Sequence, residues 1–422
     1  MRWGARALAL GGAVALLAYA VVVGRRQPWH GYFDLTVYRG AARWWLGGRQ
    51  LYSFVRPHTV AFGFTYPPFA LLCLLPVALV PLTAAAAGLT ALSALLVLVT
   101  TAWLVVPLAD RHGWSRWSAV AVAVPLVLAM EPVRETLGWG QVNLILVALV
   151  LADVRALSRG SRWAGVGIGL ATAIKLTPGL FVVYLALSGR VRAAATAAAT
   201  FAAATLLAWL VDPSASARFW TDGLWQVTRV GRPDRTENQS LFGALTRLAE
   251  PAAPDRRLWF VLAGVVLAVG MGRAVQAARR GDELTGVTLT GVVSCLVSPI
   301  SWNHHLYWVV PATVVLVDVT AGVPLHPAAP AWLRDRPRAV ARAAGAAATT
   351  LVAAFGGSLI WLFARPQGAR ANGGVLGVLG ENAYVLIMIA LVLLLPVREL
   401  SGAAPSSARS SARARPAGSS PR

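Results

Sequence analysis

Residues 82–106 read LTAAAAGLTALSALLVLVTTAWLVV, a run without one charged side chain. A helix of that length spans about 30 Å of hydrocarbon. A β-barrel span would alternate polar and apolar residues, and this run does not. With no water to bond the backbone inside a bilayer, only a helix satisfies its peptide groups there. Segments Ala7–Val23, Val191–Val211, Leu258–Val275, Ala339–Phe363 and Val375–Pro396 read the same way. Hydrophobic residues make up 57% of the chain and charged residues 13%, against about 25% charged in a soluble domain. The expectation is an all-α polytopic membrane protein with about 11–13 spans.

The net charge of +21 follows the membrane rather than a binding face. A layout with 2–6, 107–117, 153–163, 188–192, 272–285, 318–338 and 397–422 in the cytoplasm gives that side the steeper excess of Arg over acidic residues, as the positive-inside rule requires. Basic groups dispersed over membrane-flanking loops do not form a nucleic-acid footprint, so no nucleic-acid partner is expected. The partner is the lipid bilayer. Ala18-Tyr19-Ala20 resembles a signal-peptidase site, but Val21–Val23 continues the apolar run, and an uncleaved first helix is expected. Cys73 and Cys295 both lie in apolar segments, with neither a disulfide framework nor zinc-ligand spacing.

The chain reads as one integral domain, 1–400, with two extracytoplasmic loops, about 24–66 and 212–257. Residues 401–422, rich in Ser, Ala, Pro and Arg, are expected to form a disordered basic cytoplasmic tail. In the first loop Leu35, Tyr38, Ala42, Trp45 and Leu46 recur at helical spacing, Arg39 and Arg43 share another face, and Gly47-Gly48 ends the pattern. That is an amphipathic helix for the membrane surface. Pro67–Val106 reads as one crossing with a short partial helix or as two crossings. Gly165–Leu187 reads as one helix or as two halves broken at Lys175–Pro178.

Spans need only apolar residues, yet distinctive polar strings collect at their ends: Tyr32-Phe33-Asp34, Tyr66-Pro67-Pro68, Gly140-Gln141-Val142-Asn143, Lys175-Leu176-Thr177-Pro178, Asn238-Gln239-Ser240 and Ser298-Pro299-Ile300-Ser301-Trp302-Asn303-His304-His305. Asp34 is the only carboxylate of the first loop. At an interface among aromatic rings it would lose solvation and gain basicity; equally, it could cap the helix that follows. Lys175, the only lysine, lies in an apolar run, where a charge marks a site or snorkels to the interface. His304 and His305 sit just inside a span expected to begin near Trp302. Adjacent helical residues point about 100° apart, so they do not chelate one metal; one of them could face an anion. Gln141, Asn143, Asn238 and Gln239 suit sugar hydroxyls or interhelical hydrogen bonds.

Taken in order, Tyr32-Phe33-Asp34-Leu35-x-Val37-Tyr38, Leu51-Tyr52, Phe64-x-Tyr66-Pro67-Pro68-Phe69, Gly140-Gln141-Val142-Asn143, Lys175-x-x-Pro178, Asn238-Gln239-Ser240-Leu241 and Ser298-Pro299-Ile300-Ser301-Trp302-x-His304-His305 resemble the GT-C glycosyltransferases of family 87, polyprenol-phosphate-mannose-dependent α-1,2-mannosyltransferases. The resemblance covers roughly residues 31–316. It implies a GT-C fold in the plasma membrane, an extracytoplasmic active site, and Asp34 as catalytic base. It also implies a polyprenyl-phosphate β-mannose donor and a mannosylated glycolipid acceptor such as a phosphatidylinositol mannoside, lipomannan or lipoarabinomannan. Lys175, His304, His305 and Arg39 become candidates for the donor phosphate. Tyr38, Tyr66, Gln141, Asn143, Asn238, Gln239 and Trp302 become candidates for sugar and acceptor. A lipid phosphate leaves as a stable anion, so one base suffices and the scheme calls for no cofactor and no metal.

Two other readings fit some of these residues. A GT-C transferase using another lipid-linked sugar, such as decaprenyl-phosphate arabinofuranose, would need almost the same site. A lipid or sugar transporter would place charges near the midplane and show repeat symmetry; here the polar strings lie at span ends.

Overall fold

The computed structural model describes residues 18, 30–57, 59, 62–226, 229–364 and 374–400. The expected first span, apart from Ala18, and the expected tail lie outside the described residues. Among the described residues the fold is all-α: helices and short 3-10 turns, with isolated bridges in place of any strand.

The first loop folds as anticipated into α1 (Phe33–Leu46), ending at Gly47. Leu35, Val37, Tyr38, Ala41 and Ala42 are buried, whereas Leu46, expected on the apolar face, is 51% exposed. The segment Pro67–Val106 becomes α2 (Pro68–Leu79) and α3 (Leu82–Arg111), separated by Pro81. Arg39 and Arg43 of α1 reach the end of α2. Arg39 donates from Nε and Nη2 to Val80 O at 3.1 and 2.9 Å, and Arg43 Nε donates to Ala78 O at 2.9 Å. They thereby satisfy carbonyls left open at a helix end. Helices α4 (Arg116–Ala129) and α5 (Glu131–Trp139) meet at a 63° bend. After α6 (Asn143–Ser158), the apolar segment 165–187 proves to be two halves, α7 (Val166–Ile174) and α8 (Gly179–Leu187). Lys175 between them has extended backbone, φ −149° and ψ 128°; Pro178 has no N–H for the Ile174 carbonyl and its ring crowds it, so the helix does not run through.

The long α9 (Val191–Val211) leads to α10 (Pro213–Thr221), whose cap Asp212 accepts from Ala215 N at 2.9 Å. Asp212 Oδ2 also accepts from Trp45 Nε1 at 2.8 Å, tying the start of α10 to α1. Next come α11 (Leu241–Ala249), α12 (Arg256–Arg279), α13 (Glu283–Val297) and α14 (Val309–Thr320). The expectation that a helix starts near Trp302 is corrected: α14 begins seven residues later, at Val309, and His304 and His305 sit in a 3-10 turn. The chain closes with α15 (Ala331–Arg334), α16 (Pro337–Gly356), α17 (Gly374–Glu381) and α18 (Ala383–Leu394).

By length and composition α3, α9, α12 and α16 can each cross a membrane, and the bent pairs α4–α5 and α17–α18 bring the number to six among the described residues. The expected 11–13 is not reached by this measure, because polar strings and prolines divide apolar segments into shorter helices such as α2, α13 and α14. Leu206, Leu210, Phe260 and Val261 are between 58% and 71% exposed. Such rows of apolar side chains turned outward on long helices are lipid-facing. The protein is a multi-pass membrane protein.

The buried residues form two apolar clusters. The larger joins α3, α6, α7, α8, α13, α14, α16 and α18; the smaller joins α1, α2 and the 3-10 turn at Leu51 with Ala215 and Phe219 of α10. At the C-terminal end of the described chain Arg398 is buried against Asp282 (Nη2 to Oδ1, 2.6 Å) and Asp318 (Nη1 to Oδ2, 2.7 Å). Both carboxylates have further partners, as a buried charge requires: Thr285 for Asp282, and His112 and Arg111 for Asp318.

Candidate active site

One cavity of about 740 Å³ opens where the smaller cluster meets the larger. Asp34, Tyr66, Gln141, Lys175, Trp302, His304 and His305, drawn from five of the six sequence strings, line it together with Tyr38.

Asp34 occupies the first turn of α1. The capping alternative is not realised: the cap is Tyr32, at φ 55°, and no side chain caps the helix. Asp34 Oδ2 instead accepts from Gln141 Nε2 at 2.6 Å. Gln141 is itself oriented. Its Oε1 accepts from Tyr38 at 2.9 Å and from Tyr66 at 3.0 Å, and the two phenol oxygens lie 2.9 Å apart. Two phenols that donate to the same amide oxygen leave only the amide nitrogen for Asp34. Burial pushes both phenols above their ordinary range, with the Asp34 charge adding to the effect, so they stay donors. Burial also pushes the Asp34 carboxyl up to about 6, against the Gln141 hydrogen bond and the Lys175, His30 and Arg56 charges, which lower it.

Gly140 is what lets these strings meet. It ends α5 at φ +68°, and a Cβ there would fall 2.8 Å from Leu35 Cβ and 3.2 Å from Tyr32 Cδ1. Only glycine combines that conformation with that approach.

Across the cavity, Lys175 Nζ donates to Asn143 Oδ1 at 3.1 Å and meets His305 Nε2 at 2.8 Å. An ammonium only donates, so His305 Nε2 accepts and its proton sits on Nδ1. Among the described residues His305 Nδ1 has no partner, and Lys175 keeps a third N–H. Two donors thus remain for an anion. Asn143 does not line the cavity. It holds Lys175 and also donates to His304 O at 3.1 Å.

The remaining expectations divide. Asn238 and Gln239, expected to contact sugar, are fully buried and outside the cavity lining. Asn238 Nδ2 donates to Pro233 O and Pro299 O, and its Oδ1 accepts from Ser301 N at 2.9 Å. Gln239 Nε2 donates to Thr236 O and Glu381 O, and its Oε1 accepts from Val385 N. Both pin the Ser298–His305 loop and α18 in place. Arg39, expected near the donor phosphate, has its guanidinium turned to Val80 O and does not line the cavity.

Several contributors were not singled out from sequence. Glu131, 0% exposed, accepts from Asn303 Nδ2 at 2.7 Å, from Trp361 Nε1 at 2.6 Å and from Tyr384. It anchors the turn that carries both histidines. Trp139, Arg229, Arg235 and Glu237 line the cavity. Trp139 adjoins the Gly140–Asn143 string, which was the available signal; for Glu131 it was a carboxylate between apolar segments. At one end Leu176, Leu180 and Val183 make the lining apolar, and Val183 is 47% exposed on the outer side of α8.

The sequence model of glycosyltransferase family 87 matches residues 64–299. The chain belongs to that family. Family 87 relatives include the polyprenol-phosphate-mannose-dependent alpha-(1-2)-phosphatidylinositol mannoside mannosyltransferases of Mycobacterium tuberculosis and Mycolicibacterium smegmatis. Each is 33% identical, over 67% of this chain and 69% of its own length. A polyprenol-phosphate-mannose-dependent alpha-(1-2)-phosphatidylinositol pentamannoside mannosyltransferase of M. tuberculosis is 31% identical over 83% of this chain and 81% of its own length. No solved structure matches. As a family 87 member the protein is a membrane-embedded glycosyltransferase.

Proposed function

We propose that this enzyme transfers mannose, with inversion, from a polyprenyl-phosphate β-mannose to the 2-hydroxyl of a mannosylated glycolipid, at the extracytoplasmic face of the plasma membrane. The donor and linkage that the relatives' names carry support this reading. The observation that carries the mechanism is that Asp34 and the Lys175–His305 pair face one cavity, a base and an anion seat together.

In the proposed step the acceptor 2-oxygen attacks the anomeric carbon and its proton passes to Asp34. The bond from that carbon to the phosphate oxygen breaks, and the electron pair leaves on polyprenyl phosphate. Lys175 Nζ–H and His305 Nδ1–H stabilise the charge that grows on the leaving oxygen. A single displacement turns a β donor into an α product. Gln141 and the two tyrosines hold the base in line, so little reorganisation is needed at reaction. The apolar end at Leu176, Leu180 and Val183 suits the polyprenyl chain, with α8 offering a route from the lipid.

The test is transfer by the purified protein in liposomes, given polyprenyl-phosphate mannose and a phosphatidylinositol mannoside, with product linkage read by NMR. A new α-1,2 mannoside is expected. Inertness with this donor, together with turnover of another lipid-linked sugar, would refute the reading.

A further inference from the structure

Trp139 closes α5 and lines the cavity. Its indole is held from several sides. His30 stacks on it with centroids 3.8 Å apart and planes 11° from parallel. Glu135 Oε2 accepts from Trp139 Nε1 at 2.9 Å and meets His30 Nε2 at 2.8 Å, so one carboxylate oxygen fixes both rings. Phe33 stands edge to face with the indole at 5.7 Å. Trp139 lines the cavity, whereas His30, stacked on it, does not. A large apolar surface fixed this firmly loses no further side-chain freedom when a ligand lies on it.

His304 is its neighbour, with ring centroids 6.3 Å apart. It lines the same cavity and is only 4% exposed, yet neither ring nitrogen has a partner among the described residues. A buried polar group left so is costly, and a ligand that reaches it recovers that cost. His305 differs, because its Nε2 is already taken by Lys175. The two histidines, at right angles with centroids 4.7 Å apart, therefore face different tasks. A pyranose offers what Trp139 and His304 lack: a C–H face for an aromatic ring and hydroxyls at its rim for an imidazole.

We infer that Trp139 and His304 form the subsite for the transferred hexose, the indole carrying its apolar face and the His304 ring bonding one of its hydroxyls. This rests on the proposed transfer from a lipid phosphate. It leaves the phosphate to Lys175 and His305, and makes His30 and Glu135 positioning residues for the indole.

The experiment compares donor KM with the Ki of sugarless polyprenyl phosphate, a competitive inhibitor that fills the phosphate seat alone. Wild type, Trp139→Leu, Trp139→Phe, His304→Ala and His304→Asn are assayed in liposomes. Trp139→Leu and His304→Ala should raise donor KM about tenfold or more, with Ki unchanged. Trp139→Phe and His304→Asn, which keep an aromatic face and a hydrogen-bonding group, should lie closer to wild type. Should Trp139→Leu or His304→Ala fail to fold, Trp139→Met or His304→Leu, similar in bulk but lacking the aromatic face or the hydrogen-bonding nitrogens, takes its place with the same expected rise in donor KM. Ki rising in step with KM, or donor KM unmoved in the folded variants, would overturn the inference while leaving the transfer reaction standing. A wild-type enzyme inert with polyprenyl-phosphate mannose would instead remove the reaction on which the inference rests.

Discussion

Gln141 Nε2 donates to Asp34 Oδ2 at 2.6 Å, across 107 residues of chain. The same amide's oxygen is claimed by Tyr38 and Tyr66, so the carboxylate is seated by a group that cannot turn away. Gln141 leaves Asp34 Oδ1 out of this bond, and that is the oxygen available to take a proton.

Asp34→Asn keeps the shape and removes the base. Transfer in liposomes should fall by about 10²–10⁴-fold, while thermal unfolding in detergent and polyprenyl phosphate inhibition stay near wild type. Turnover at the wild-type rate would take Asp34 out of the mechanism.

The reaction should lose rate as pH drops through about 6, where Asp34 takes up a proton. The Gln141 hydrogen bond favours the ionised carboxylate. Gln141→Leu should therefore raise the carboxyl further and move the acid limb of kcat/KM to higher pH. A shift to lower pH, or none, would contradict the assigned contact.

Lys175→Ala removes a charge-bearing donor from the anion seat and leaves His305 Nε2 and Asn143 Oδ1 without it. Donor KM and the Ki of polyprenyl phosphate should rise together, with acceptor KM little changed. An effect confined to the acceptor would place Lys175 elsewhere in the reaction.

Asn238→Ala and Gln239→Ala should behave as packing mutants. Each strips a buried side chain of several hydrogen bonds, a loss of about 1–3 kcal/mol for each group left unpaired. The unfolding temperature should fall, and donor and acceptor kinetics should decline alike. A selective rise in the KM of one substrate at full stability would return these residues to a sugar site.

Chelation offers a further check. The step derived above uses Asp34, Lys175 and His305, so an assay containing EDTA should match one without it. Strict dependence on an added divalent ion would require a different account of the leaving phosphate.

The membrane character and the α1 helix were legible because each rests on local chemistry. Uncharged runs must be helical in lipid, and Leu35, Tyr38 and Ala42 repeat at the helical period before Gly47 ends it. Asp34 and Lys175 could be singled out for a related reason: a lone charge beside apolar sequence is costly wherever the chain goes. Asn238 and Gln239 could not be sorted in this way. An amide that bonds a sugar and an amide that bonds the Pro299 carbonyl are the same residue until the neighbours are known. Arg39 is a similar case, since nothing local says that Val80 O is within its reach.

The sequence by itself determined that this chain is helical, embedded in lipid and furnished with a few expensive polar residues, because burial and backbone hydrogen bonding act on each segment separately. Only the tertiary structure decided which of those residues share a cavity. Gly140 brings α5 against α1, the break at Lys175 turns its ammonium to His305, and Glu131 holds the histidine turn, all through contacts between segments a hundred or more residues apart. Such contacts depend on how helices pack, and no local pattern of residues encodes that.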